Sequence, residues 1–158
     1  MRSYDAGDEN FGSSESAIEL DAWVFRKVKD FFKREAEGAE AKEKLNQDHV
    51  VIFFHLLGID THGHAFRPHS EEYLRNIEFV DDEIEKIISI IEEYYNHDGK
   101  SVYVVTSDHG MSAKGSHGDG HPTNTETPLV AWGSGISLPD SLLADEEAIR
   151  KGRSGKET

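Results

Sequence analysis

The sequence predicts an α/β domain in which helices flank a mostly parallel central sheet. Three stretches indicate this fold: an apolar run from Val50 to Ile59, an amphipathic stretch that begins near Ser70, and a β-branched segment from Ser101 to Thr106. In that order they form a strand–helix–strand unit, for which a right-handed parallel crossover is expected. With 158 residues and 36% hydrophobic content, the chain suits a single globular domain.

The first predicted element is an amphipathic helix that follows a loop-like, polar stretch over residues 2–15. Its apolar side chains recur at intervals of three and four residues, which is the helical period. They are Leu20, Trp23, Val24, Val28, Phe31 and Phe32. We expect this helix to end soon after Arg34. Gly38 interrupts the charged segment that follows, which suits either a solvated helix or a linker.

A second helix is predicted after Pro68. Ser70 is suited to cap its N-terminus, and Glu71 and Glu72 favour its first turn because they oppose the positive end of the helix dipole. The apolar stripe expected to be buried consists of Ile77, Val80, Ile84, Ile87, Ile88, Ile91 and Tyr94. The helix should end at a turn over residues 96–99, where Gly99 follows Asn, His and Asp.

A third strand is predicted from Pro128 to Trp132, and three strands with one or two helices leave sheet edges uncovered. The sheet is therefore expected to be incomplete. We assign residues 1–136 to the folded domain and residues 137–158 to a flexible tail. The segment from Arg150 to Thr158 has the composition of a disordered end.

The overall charge excludes some classes of function. The chain has a formal net charge of -14, and its Lys and Arg residues form no stripe of the kind that neutralises nucleic-acid phosphates. No cysteine is present, which excludes disulfides and thiolate metal sites. The longest apolar run is about half the length that a bilayer-spanning helix needs. The N-terminal residues are polar and lack the pattern of a signal peptide.

Two clusters of potential metal ligands follow predicted strands. In the first, Asp60 and His64 lie four residues apart with Gly63 between them, and that glycine is expected to allow a tight turn. Alone, this cluster also fits a loop histidine beside a helix-capping aspartate. In the second, Asp108 and His109 are followed by a glycine-rich segment with His117 and His121. Two Asp/His groups at strand ends predict a site for zinc or manganese.

These motifs resemble those of the alkaline phosphatase superfamily, which includes nucleotide pyrophosphatase/phosphodiesterases, cofactor-independent phosphoglycerate mutases and the GPI ethanolamine phosphate transferases. The transferases are the most similar, and the resemblance covers about residues 20–136. It rests on His55-Leu56-Leu57-Gly58-Ile59-Asp60 with Gly63-His64 and Arg67-Pro68, on Asp108-His109-Gly110-Met111, on Gly115-Ser116-His117-Gly118 with Gly120-His121-Pro122, and on the run from Thr127 to Gly133. Residues 1–136 then correspond to the C-terminal part of an alkaline-phosphatase-like catalytic domain.

The resemblance implies a site with two divalent metal ions, zinc or manganese. Asp60, His64 and His117 would hold one ion, and Asp108 and His109 would contribute to the second. His121 is a candidate for substrate contact, and a loop histidine bonded to backbone is an equal alternative. The family's nucleophilic threonine and a further aspartate ligand match nothing here. The hydroxyl residues near the site, Thr61, Thr106, Ser107, Ser112 and Ser116, are assigned to turns and strands.

The resemblance further implies a phosphoethanolamine transferase that acts on the first mannose of GPI-anchor precursors. Its donor would be phosphatidylethanolamine and its acceptor the GPI glycolipid, with a lumenal catalytic domain at the endoplasmic reticulum membrane. We expect the chain to be truncated on both sides, and to have little or no activity without the remainder of the transferase and its membrane region. Two alternatives stay open: a soluble phosphatase, phosphodiesterase or mutase of the same superfamily, and a non-catalytic metal-binding remnant.

Overall fold

The computed structural model describes residues 14–35 and 39–137. Residues 2–13 of the predicted loop, the break at Gly38 and residues 138–158 of the predicted tail lie outside these described residues, while residues 14 and 15, predicted as loop, belong to a helix. Five helices and two strands follow one another along the chain: α1 (Ser14–Glu35), α2 (Ala39–Leu45), α3 (Gly58–Phe66), α4 (Glu71–Tyr94), β1 (Val102–Thr106), α5 (Pro122–Thr125) and β2 (Leu129–Gly133). They divide into two compact units, one helical and one formed by the two strands.

The predicted first helix is confirmed as α1. Leu20, Val28 and Phe32 are buried, while Trp23, Val24 and Phe31 are half-buried. Two further buried side chains, Ala17 and Phe25, widen the apolar face beyond the prediction. This face packs against α3 and α4, because a helix with one apolar stripe is stabilised chiefly by covering that stripe.

The second predicted helix is confirmed as α4. Ser70 caps it as predicted, since its side chain accepts a hydrogen bond from the Tyr73 amide at 3.2 Å. Val80, Ile87 and Ile91 are buried and face α1, but the prediction for Ile77 is wrong, because its side chain is 39% exposed. The buried positions between them include two polar residues, Asn76 and Glu83.

Glu83 is accommodated in the interface of α1 and α4 by two lysines. Lys29 of α1 and Lys86 of α4 both donate hydrogen bonds to its carboxylate. Burial acts to raise the pKa of Glu83, but the bonds from Lys29 and Lys86 outweigh it and the pKa is lowered. A charged group on the apolar face of α4 is therefore tolerated because it is paired.

The predicted buried strand from Val50 to Ile59 is wrong. Residues 50–57 have no regular secondary structure, the chain becomes helical at Gly58, and Val51 and Phe53 are 91% and 83% exposed. The physical reason is that an extended apolar segment becomes a strand only when a neighbour satisfies its backbone hydrogen bonds. No strand in residues 14–35 and 39–137 pairs with this segment.

The strands predicted at residues 101–106 and 128–132 are confirmed as β1 and β2, but they pair with each other in antiparallel orientation. The register runs from Val102 opposite Gly133 to Thr106 opposite Leu129, and the rings of Tyr103 and Trp132 stack with centroids 5.5 Å apart. The described residues thus contain a two-stranded antiparallel sheet, and the expected parallel crossover is not present among them. No helix in the described part of the chain is long and apolar enough to cross a membrane.

Candidate metal centre

Helix α3 carries two of the predicted ligands. Asp60 and His64 are one helical turn apart, and their side chains meet with His64 Nε2 3.4 Å from Asp60 Oδ2. The tight turn predicted at Gly63 is wrong, since Gly63 lies inside the helix. Glycine instead allows a close approach there, because a Cβ atom at Gly63 would lie 2.2 Å from the sulfur of Met111, which would have to move.

The N-terminus of α3 is anchored to α1. Asp21 is fully buried, and its Oδ1 accepts a hydrogen bond from the Gly58 amide at 2.9 Å. Gly58 approaches α1 so closely that a Cβ atom would lie 2.2 Å from the carbonyl oxygen of Ala17. These two contacts fix where α3 begins and therefore where Asp60, two residues further on, is placed.

Burial raises the pKa of Asp21 from 3.8 to about 6, and hydrogen bonds from the Gly58 and Leu57 amides only partly oppose this shift. A carboxyl whose pKa is higher in the folded state stabilises the fold most below its unfolded pKa, and that contribution is lost as the pH rises through the folded pKa. We therefore expect Asp21→Asn, which keeps an acceptor for Gly58, to gain up to about 3 kcal/mol relative to the unchanged protein between pH 4 and pH 7. Urea unfolding of both proteins across this range measures the difference, and parallel curves would contradict the prediction.

The third predicted ligand reaches the same place from the loop between β1 and α5. His117 Nε2 lies 3.0 Å from His64 Nε2 and 3.3 Å from Asp60 Oδ1. Asp60, His64 and His117 thus form a group whose donor atoms could hold one metal ion. A tetrahedral zinc ion with bonds of about 2.0–2.1 Å holds its ligand atoms about 3.3 Å apart, so the spacing fits.

The hydrogen bonds around this group favour a cation as well. His64 Nδ1 donates to the carbonyl oxygen of Gly115 at 2.9 Å, so in the neutral ring Nε2 carries a lone pair directed at the group. Asp60 Oδ1 is buried and makes no hydrogen bond to the described residues. Without a metal, a proton on His117 Nε2 is donated to the His64 Nε2 lone pair, and a bound cation would take the place of that proton.

The predicted ligands of a second ion are placed less tightly. His109 Nδ1 donates to the Gly110 carbonyl at 2.9 Å, which leaves Nε2 as a lone-pair donor, and its ring stacks on His117 with centroids 3.7 Å apart. His109 Nε2 is 3.8 Å from Asp60 Oδ1 and 3.8 Å from Asp108 Oδ1. Asp108 is 77% exposed at the outer side of this arrangement.

His121 is held differently from the other three histidines. Its Nδ1 accepts a hydrogen bond from the Thr123 amide at 3.3 Å and caps α5, so the proton of the neutral ring is on Nε2. Asp119 accepts from the His121 amide and from Asn124, and these two bonds lower the pKa of Asp119. The structure therefore places His121 in a capping role and leaves an N–H directed away from the cap.

Sequence reasoning missed two residues that shape the centre. Asp21 shares a helix face with Val24 and Val28, and a lone carboxylate on an apolar face was a signal that could have identified it. Arg67, which ends α3, has φ 80° and ψ 153°, a region that is essentially restricted to glycine. No local pattern predicts such a backbone conformation at an arginine.

Comparison with known proteins gives consistent matches. The sequence model of the type I phosphodiesterase / nucleotide pyrophosphatase family matches residues 8–128. GPI ethanolamine phosphate transferase 1 of Mus musculus is 50% identical over 154 residues, which is 96% of this chain and 16% of the relative. The Homo sapiens protein of that name is 49% identical over 144 residues, with coverages of 91% and 15%.

The protein of the same name from Aspergillus oryzae is 53% identical over 133 residues, with coverages of 84% and 13%. These matches confirm the resemblance to the GPI ethanolamine phosphate transferases. The chain spans between 13% and 16% of the length of these three relatives. No solved structure matches it significantly.

Proposed function

The chain belongs to the type I phosphodiesterase / nucleotide pyrophosphatase family, and from that premise we propose that it forms the metal-binding part of a phosphoethanolamine transferase of GPI-anchor biosynthesis. The relatives that are about half identical over most of the chain bear the name GPI ethanolamine phosphate transferase 1. We further propose, from the motif resemblance, that the acceptor is the first mannose of the GPI precursor and that the donor is phosphatidylethanolamine.

One observation carries the metal dependence of this proposal, namely the convergence of Asp60, His64 and His117 on one point. Zinc is the proposed ion because the donors are two imidazoles and a carboxylate at tetrahedral spacing, with manganese as the alternative. His109 and Asp108 are proposed to contribute to a second ion. When bound, such ions supply positive charge to phosphate oxygens and lower the pKa of a nucleophile.

The residues of the chain suit this chemistry in three ways. The carbonyl of Gly115 keeps the His64 lone pair directed inward, and the carbonyl of Gly110 does the same for His109. The carboxylate of Asp60 provides the negative charge that retains a cation. Because the chain has a formal charge of -14, an anionic phosphodiester is expected to bind where cations offset that charge.

We propose that the nucleophilic threonine and the further aspartate ligand lie in a part of the protein that corresponds to the rest of the relatives. The proposed location is the endoplasmic reticulum membrane, with the catalytic domain on the lumenal side. The complete domain is proposed to have the mostly parallel central sheet of an alkaline-phosphatase-like fold, which the family match supports.

The function is tested by complementation in cells that lack their own GPI ethanolamine phosphate transferase 1. The full reading frame that contains this sequence should restore GPI-anchored proteins at the cell surface, whereas His117→Ala, which removes a proposed metal ligand, should abolish this restoration. His69→Ala changes an exposed histidine outside the group and is the matched control. Failure of the unchanged sequence, combined with GPI-independent hydrolysis of a nitrophenyl phosphodiester, would support the phosphodiesterase alternative instead.

A further inference from the structure

Arg67 adopts a backbone conformation that is disfavoured for two reasons. Its φ of 80° and ψ of 153° lie in a region that side chains with a Cβ avoid. The following residue is Pro68, and a residue before proline is normally restricted to negative φ values in the extended region. Such a conformation persists only where the surrounding contacts determine it.

The contacts that hold the Arg67 backbone come from both sides. Its amide donates to the carbonyl of Gly63 at 3.1 Å, and its carbonyl accepts from the Ser70 amide at 3.1 Å and from the Ser70 hydroxyl at 2.9 Å. Arg67 is thereby fixed between the last turn of α3 and the N-cap of α4. Its side chain is directed back along α3 as a consequence.

The side chain joins the two segments that carry His64 and His117. Arg67 Nη1 donates to the carbonyl oxygen of His64 at 2.5 Å. The same side chain lies against Gly115, where a Cβ atom would be 2.7 Å from Nη1 and 2.9 Å from Cδ of Arg67. Gly115 in turn accepts the hydrogen bond from His64 Nδ1 and has φ 73°, which glycine adopts without strain.

We infer that Arg67 is a positioning residue that clamps the segment 112–117 onto α3, and so holds the two histidine ligands at their mutual distance. The inference rests on the metal site proposed above. Arg67 acts through the His64 carbonyl and through Gly115, whose amide closes the turn by donating to the Ser112 carbonyl at 2.8 Å. Residues that orient metal ligands in this way commonly change metal affinity by about 10–100-fold when they are replaced.

Because Arg67 is positively charged, the sign of the change in metal affinity when it is replaced distinguishes two roles for its side chain. A nearby guanidinium repels a divalent cation, so loss of the charge alone would tighten metal binding. Loss of the clamp weakens it, because His64 and His117 would no longer be held together. A role through charge alone therefore predicts tighter metal binding when Arg67 is replaced, whereas a role as a clamp predicts weaker binding.

Isothermal titration of the protein with Zn²⁺ tests the inference. We expect Arg67→Ala to weaken affinity by about 10-fold or more, while Arg75→Ala, which removes an exposed arginine paired with Glu71 on α4, leaves it unchanged. Arg67→Gly is the second variant, because glycine adopts this backbone conformation without strain and the fold is retained. Unchanged or tighter binding by the Arg67 variants would overturn the clamp.

Amide hydrogen exchange separates the clamp from the metal proposal. In metal-free protein, the amides of Ser112 and Gly115, which bond within the 112–116 turn, should exchange several-fold faster in Arg67→Ala and Arg67→Gly than in Arg75→Ala. If the unchanged protein binds no Zn²⁺ or Mn²⁺, the metal proposal fails, and the amide exchange rates alone test whether Arg67 clamps the segment 112–117. Equal exchange rates in all three variants would then refute the clamp.

Discussion

Asp60→Asn is expected to weaken cation binding by more than about 100-fold, which exceeds the effect of losing a residue that only orients a ligand. Asp60 is the member of the group that supplies negative charge, and its two oxygens lie 3.3 Å from His117 Nε2 and 3.4 Å from His64 Nε2. The amide of asparagine is neutral and offers a single acceptor oxygen. The size of the side chain is nearly unchanged, so the loss reports on ligand chemistry.

Two measurements check this expectation. Titration with Zn²⁺ gives the affinity, and thermal unfolding with and without Zn²⁺ gives the linked stability, which is about 2.7 kcal/mol when free metal is at 100 times Kd. At the same Zn²⁺ concentration, that stabilisation should fall below about 0.4 kcal/mol in Asp60→Asn. Asp81→Asn removes an equal charge from an exposed position on α4 and should behave like the unchanged protein. Identical Zn²⁺ affinity in both variants would eliminate the proposed centre.

Gly58→Ala is expected to destabilise the helical unit by about 3 kcal/mol, the upper part of the range for overpacking. The added methyl would lie 2.2 Å from the backbone oxygen of Ala17 and 2.4 Å from Oδ2 of Asp21. Neither neighbour yields easily, because one is helix backbone and the other is a buried side chain. The start of α3 would have to move away from α1, and the hydrogen bond from the Gly58 amide to Asp21 would be lost with it.

Denaturant unfolding of Gly58→Ala and Gly120→Ala provides the comparison. Gly120 lies in the glycine-rich segment before α5, and a Cβ atom there meets nothing within 4 Å, so its replacement should change stability by no more than about 0.5 kcal/mol. Equal stability of the two variants would show that α3 does not depend on close contact with α1. Zn²⁺ affinity should follow stability, since Asp60 is placed by the same contact.

Elements that depend on local pattern were predictable. The helical period of Leu20, Val28 and Phe32 identified α1, and the capping serine Ser70 identified the start of α4. These signals are carried by residues within one short segment of the chain, so they need no knowledge of the remaining chain. The type of site was also predictable, because Asp and His on glycine-rich segments limit the chemistry to hard or borderline cations.

Elements that depend on a distant partner were not predictable in the same way. The apolar run over residues 50–57 has the composition of a buried strand, yet strand formation requires hydrogen bonds from another segment. Ile77 matches the period of the α4 stripe, yet it is exposed while Glu83 is buried between Lys29 and Lys86. In both cases the sequence showed the apolar character of the residues, but whether they are buried depends on the segment that packs against them.

The sequence by itself determined helices α1 and α4, strands β1 and β2, and the residue types of the candidate metal centre, because helical period, strand propensity and ligand chemistry are local properties. Only the tertiary structure decided that Asp60 and His64 share one helix face, that Gly58 and Gly63 lie at close contacts, and that Arg67 is held in a strained conformation against Gly115. Apart from the shared helix face, the contacts of the site join residues 37 to 53 positions apart, such as Asp21 with Gly58 and His64 with His117. They arise from the packing of α1, α3 and the 112–117 segment, which no local pattern encodes.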